Sequence, residues 1–231
     1  MNKAGVFIIG GAAIILVIAG TAQFLSMRPA ISPTMPITAS TTEQNGNIQT
    51  TAVAPATNGN VVSKYPSILP QAYGDTVASW DFQGAYANNP ELIAKTQAEI
   101  KRLSGLLSTA TSSAMILSVG IANQYELLGD GKKQYEYLDR AIRENPENGL
   151  PWHNLGVLME RLGAYTTARG AYEESTLVQP ELKFYHYAYI EFLTSRTKDD
   201  TARIEKAFAF AEKSIGTTPY LIELRTEWQK P

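Results

Sequence analysis

The feature that most restricts how this chain can fold is a recurrence at one fixed offset. Pro146 and Pro180 lie 34 residues apart, and so do Gly129 and Gly163, Leu128 and Leu162, Ala122 and Gly156, and Leu138 and Tyr172. A period of this size marks a unit that buries its apolar face against copies of itself. A third copy follows with an insertion. Ala207, Ala211, Ser214 and Pro219 repeat the spacing of Ala168, Tyr172, Ser175 and Pro180, shifted by 39. The five extra residues are expected in "TSRTKDD", residues 194–200, between two helical runs.

Within "PWHNLGVLMERLGAYTTARGAYEESTLVQP", residues 151–180, the unit reads as an antiparallel helix pair. Trp152, Leu155, Gly156 and Met159 fall at i, i+3, i+4 and i+7, one face of a first helix. Gly156 removes the side chain where a second helix must approach, and that helix offers Ala168, Tyr172 and Ser175. Gly163 suits the turn between them, where a residue with φ > 0 ends a helix. Pro180 is expected to open the next helix, where its missing N–H costs nothing.

The stretch resembles the tetratricopeptide repeat family, whose pattern runs W-x₂-L-G-x₂-Y, then A-x₃-F, then P. Residues 151–180 match it with Met159 in the aromatic position. Residues 115–146 match through Ile121, Ala122, Tyr125, Leu138, Ala141 and Pro146, with Gln134 in place of the small residue. In residues 183–219, His186 takes the Trp position and Tyr189-Ile190 the Leu-Gly position. Together the matches cover about 105 of 231 residues. The resemblance implies an all-α helical solenoid of three repeats, about residues 115–148, 149–182 and 183–219, within a helical domain of residues 66–231. Flanking helices are expected from Asn89-Pro90-Glu91, carrying the apolar stripe Leu92, Ile93, Ile100, Leu103, Leu106 and Leu107, and from Thr218-Pro219, with Ser112 or Ser113 capping the helix between.

Ahead of this domain the composition changes twice. Residues 4–25 run without a charge, about 33 Å of helix against a hydrocarbon core of about 30 Å. This reads as a transmembrane signal anchor behind a cytoplasmic stub of residues 1–3, with the remainder exported. The alternative is a removed signal peptide with Gly20-Thr21-Ala22 at the cleavage site, leaving a secreted domain. Residues 26–65 form a Ser/Thr-rich linker. Ten of the 32 residues from 32 to 63 are Ser or Thr, Glu43 is the only charge there, and no apolar period offsets the entropy of ordering. Trp80, Phe82 and Tyr86 then suggest an irregular segment packed onto a core.

The residue inventory argues against chemistry. Net charge is −2, with 20 Lys and Arg against 22 Asp and Glu, so there is no basic footprint for nucleic acid. Cysteine is absent, which removes disulfides, thiolate metal sites and a Cys nucleophile. His153 and His186 are the only histidines, a poor metal set. "GDGK", residues 129–132, lacks the spacing of a phosphate loop, and no serine sits in a G-x-S-x-G setting. The expectation is a non-enzymatic binding protein without catalytic residues, cofactor or metal.

In the family it resembles, the first helix of each pair lines a concave groove for peptides. The corresponding stripe here holds Ile116, Val119, Asn123 and Glu126, then Leu150, His153, Val157 and Glu160, then Phe184, Tyr187, Glu191 and Thr194. Asn123, Glu126, His153, Val157, Glu160, Phe184, Tyr187 and Glu191 are therefore the candidate partner-binding residues. Some relatives clamp a C-terminal carboxylate; Asn123 and Asn154 fit that pattern, but Val119, Phe184 and Ala188 stand where its cations belong. An apolar or aromatic-rich protein or peptide segment is the expected partner, and the lipid bilayer is a second partner through residues 4–25. The functional expectation is a membrane-tethered scaffold that gathers another protein. The alternative is a permanent structural subunit of a larger envelope complex. No feature of the sequence sets an oligomeric state.

Overall fold

The computed structural model describes residues 72, 74–110 and 112–230. The expected anchor and linker, and the topology expected of them, lie outside these residues. Among the described residues the protein is all-α, with eight helices and no strand. No described helix is long and apolar enough to cross a membrane. The helices are α1 (Pro90–Thr109), α2 (Ala114–Leu128), α3 (Gly131–Glu144), α4 (Gly149–Arg161), α5 (Tyr165–Val178), α6 (Lys183–Arg196), α7 (Thr201–Ile215) and α8 (Pro219–Trp228). Each packs chiefly on the next in the chain, most closely α2 on α3 and α4 on α5, while α8 also reaches back to α6.

Local signals account for most boundaries. Asn89 caps α1 by accepting from the Leu92 amide, with Pro90 at the first helical position. Asp130, Asn148, Asp200 and Thr218 likewise cap α3, α4, α7 and α8 through their side chains. Ser113 precedes α2 but makes no side-chain cap. Gly129 and Gly163, with φ of +83° and +77°, turn the chain after α2 and α4. Of the α1 stripe, Leu103 and Leu107 are buried, whereas Leu106 is 47% exposed.

The core runs through the paired helices. Trp152, Leu155, Met159, Ala168 and Tyr172 are all buried in one cluster. A Cβ on Gly156 would stand 2.8 Å from the Tyr172 ring, so the missing side chain is what admits α5. Two expectations are corrected. Pro180 does not begin α6; it lies in the preceding turn, and its carbonyl oxygen accepts a 2.7 Å hydrogen bond from His186 Nε2. The Pro146 carbonyl accepts from Trp152 Nε1 at 3.0 Å over the same six-residue separation. The proline position thus supplies an acceptor to whichever ring fills the slot. The five inserted residues also do not all fall between the two helices. Against α4 and α5, one extends α6, one lengthens the turn and three extend the start of α7.

Residues 74–89 form a strap along the α2–α3 and α4–α5 turns. Phe82 and Tyr86 donate backbone hydrogen bonds to Gly129 and Leu127, and Gly131 donates to Trp80. Trp80 meets Tyr135 edge-on at 5.2 Å, and the Arg161 guanidinium lies 4.6 Å from the Phe82 ring centre. A Cβ on Gly84 would stand 2.4 Å from the Leu127 carbonyl oxygen, so backbone lies directly on backbone there. The expected packed aromatic segment is therefore present, held mainly through its main chain.

Candidate partner-binding face

The stripe expected on α2, α4 and α6 can be followed residue by residue. Asn123 on α2 accepts a hydrogen bond from Asn154 Nδ2 of α4 at 3.2 Å. Glu126 accepts from Arg161 at 2.9 Å, again from α2 to α4. One repeat later, Glu160 accepts from Arg196 Nε of α6 at 2.8 Å and from the Tyr172 hydroxyl at 3.0 Å. Glu191 accepts from the Tyr220 hydroxyl of α8. That bond, helped by burial, pushes the Tyr220 pKa up to about 12. Tyr187 places its ring 4.9 Å from Tyr220, edge-on, and its hydroxyl pairs with Thr218 Oγ1. These side chains stitch each first helix of a pair to the next.

His153 departs furthest from an open groove. It is 1% exposed, with ring centres of Phe184 at 4.6 Å, Tyr172 at 5.6 Å and Tyr185 at 5.8 Å. Neither of its ring nitrogens has a hydrogen-bond partner. Burial lowers its pKa to about 4, which keeps the ring neutral at ordinary pH. Val119, one repeat earlier at the same position, is also buried. No ligand reaches either side chain in this conformation. Tyr187, the third member of the row, is partly covered by α8.

What stays accessible is another row of the same stripe. Ile116 is 41% exposed, and Leu150 and Phe184, at successive 34-residue steps, are half-buried. Val157 and Asn123 are half-buried as well. The carboxylates further along the same helices, Glu126, Glu160 and Glu191, are engaged by Arg161, Arg196 and Tyr220. Those three partners are contributed by neighbouring units. A usable signal exists for two of them: Arg161 and Arg196 follow Glu126 and Glu160 by 35 and 36 residues, close to one repeat.

His186, the glycine-rich turn and these carboxylates have structural partners. The Gly129, Asp130 and Gly131 amides donate to Glu126, Tyr125 and Trp80, so the turn that superficially resembles a phosphate loop has these three donors in use. Among the described residues no group of three or more His, Cys, Asp or Glu could hold a metal ion. Comparison of the chain with known protein families, curated proteins and solved structures finds no match in any of the three.

Proposed function

We propose that this chain is a tetratricopeptide-type adaptor that binds an apolar or aromatic-rich segment of another protein on α2, α4 and α6, while residues 4–25 hold it at a membrane. The observation that carries this reading is the recurring row Ile116, Leu150 and Phe184. It presents apolar side chains at one position of three successive units, near the starts of helices whose stripe carboxylates, towards the other end, are internally paired. A ligand bringing its own charge would find no free counter-ion among Glu126, Glu160 and Glu191, and desolvating that charge would be costly. An apolar anchor meets no such cost, and interfaces concentrate their energy in a few anchors of this kind. The resemblance of residues 151–180 to the repeat pattern supports the same use.

The test is site-specific photocrosslinking of the full chain in its native membrane. A crosslinker at position 116 or 150 should capture one common protein. One at Leu177, which is 54% exposed on α5, should not. Leu150→Glu should abolish capture from position 116 without lowering the melting temperature. Equal capture from Leu177, or capture unaffected by Leu150→Glu, would sink the assignment. Self-capture at every position would instead favour the permanent-subunit reading.

A further inference from the structure

The two ends of the strap are held in different ways. Residues 80–86 are pinned by backbone hydrogen bonds to the α2–α3 turn, by the Trp80–Tyr135 contact and by the tight seat of Gly84. Residues 74–79 have no such support. Gly74, Thr76, Ala78 and Ser79 are exposed, and Val77 provides the apolar contact with the core. Their hold on the helices is centred on Asp75. Its carboxylate accepts from the Thr167 amide at 2.6 Å, the Thr166 amide at 3.2 Å and Thr167 Oγ1 at 2.7 Å. The Ala72 amide donates in turn to Thr167 Oγ1 at 2.8 Å.

This arrangement answers a need of α5. The residue before its first turn is Ala164, which has no side chain able to cap it. The amides of Thr166 and Thr167 are those that a local Ser, Thr, Asp or Asn would ordinarily satisfy. Asp75 does so from about 90 residues away in the chain. A cap supplied by the helix's own chain is lost only when the helix frays. One supplied from a distant strap can leave while the helix stays folded, because α5 remains packed on α4 through Ala168 and Tyr172.

We propose that Asp75 and the first turn of α5 form a releasable clasp, opening by itself while residues 80–86 stay pinned and the helices stay folded. Opening frees six residues, 74–79, and so adds up to roughly 20 Å to the reach of the chain upstream of the strap. It also uncovers the first-turn amides of α5. The device does not depend on the partner proposed above. It is a length adjuster between the upstream chain and the helices, set by three hydrogen bonds to the Asp75 carboxylate together with the Ala72–Thr167 bond and the Val77 contact.

Hydrogen exchange on the full chain, resolved to single amides, tests this. In the parent protein the Thr166 and Thr167 amides should exchange about 100-fold faster than those of Phe82, Tyr86 and Gly131, since local openings lie well below global unfolding in free energy. Asp75→Ala should speed exchange at Thr166 and Thr167 by a further factor of about 10 and leave the α4 and α5 interiors unchanged. Thr167→Val, which keeps the two amide bonds to Asp75, should fall between. Clasp amides as protected as the helix interiors would overturn the proposal. So would accelerated exchange throughout α4 and α5 in Asp75→Ala, or failure of that variant to fold, because the clasp would then belong to the cooperative unit. An unchanged rate at Thr166 and Thr167 would show that Asp75 does not cap them at all.

Discussion

The α4–α5 and α6–α7 pairs solve one packing problem with opposite choices of residue. In the first, Gly156 faces the large Tyr172 ring. In the second, the equivalent positions hold Ile190 and Ala211, both fully buried. The α2–α3 pair is intermediate in residue size, with Ala122 and Leu138, also fully buried. Where one helix is small the other is large, so the space between the pair is filled in each case although no residue is shared. The lesson is that the repeat preserves a combined volume, as close-packed cores require, rather than a residue type at either position.

The largest effect should come from breaking that compensation. Gly156→Ile alone should cost about 3 kcal/mol, since the added branch enters the space of the Tyr172 ring. Tyr172→Ala alone should cost about 3–5 kcal/mol through the cavity it leaves. Combined, the two changes give α4–α5 the residues of α6–α7, and the double variant should be more stable than Tyr172→Ala by itself. Urea unfolding of all three variants reads the coupling. Strict additivity would show that volume exchange is not what relates the two pairs.

The histidines sharpen the same comparison. His186 fills the Trp152 position and donates to Pro180, whereas His153 is enclosed by rings with no acceptor. Burial lowers the pKa of both, that of His153 from 6.5 to about 4. Between those values the unfolded chain binds a proton that the folded chain refuses. Stability should therefore fall as pH drops from 6.5 towards 4, by up to about 3 kcal/mol for His153 at about 1.4 kcal/mol per pKa unit. His153→Leu should remove most of that slope and leave the part due to His186. Parallel slopes in parent and variant would mean that His153 reaches water.

Much of the fold could be read from spacing, because helix faces, caps and turn glycines act within a few residues of one another. Asn89, Thr218, Gly129 and Gly163 all announce what they do. The candidate site was less legible, for a physical reason. A periodic stripe states which side of a helix a residue occupies, but not what the next unit lays over it. His153 and Tyr187 share a stripe position, and one is buried by Phe184 while the other is partly covered by α8. Asp75 was beyond reach for the same reason, since nothing near it in the chain reveals an uncapped helix some 90 residues later.

The cover that α8 lays over Tyr187 decides what Tyr187→Glu should do. A carboxylate there would lose the Tyr220 contact and the bond to Thr218, the residue that caps α8. The variant should lose about 1–2 kcal/mol, with faster exchange confined to α8. Leu150→Glu, on the accessible row, should stay within about 0.5 kcal/mol of the parent. An intact α8 in Tyr187→Glu would return Tyr187 to the open face.

The smallest difference separates two glutamates at one repeat position. Glu126 and Glu160 each pair with an arginine of the following unit, but only Glu160 also accepts a hydroxyl, that of Tyr172. The α2–α3 pair carries Leu138 where α4–α5 carries Tyr172, so Glu126 has no equivalent bond to make. Glu126→Ala should cost less than about 1 kcal/mol, as partly exposed ion pairs usually do. Glu160→Ala should cost about 1–2 kcal/mol, because it leaves a buried hydroxyl without its acceptor. Tyr172→Phe should cancel most of the difference: with the hydroxyl gone, removing Glu160 costs only the Arg196 pair. Equal losses for Glu126→Ala and Glu160→Ala in the parent would place the Tyr172 hydroxyl in water and reduce both glutamates to the same role.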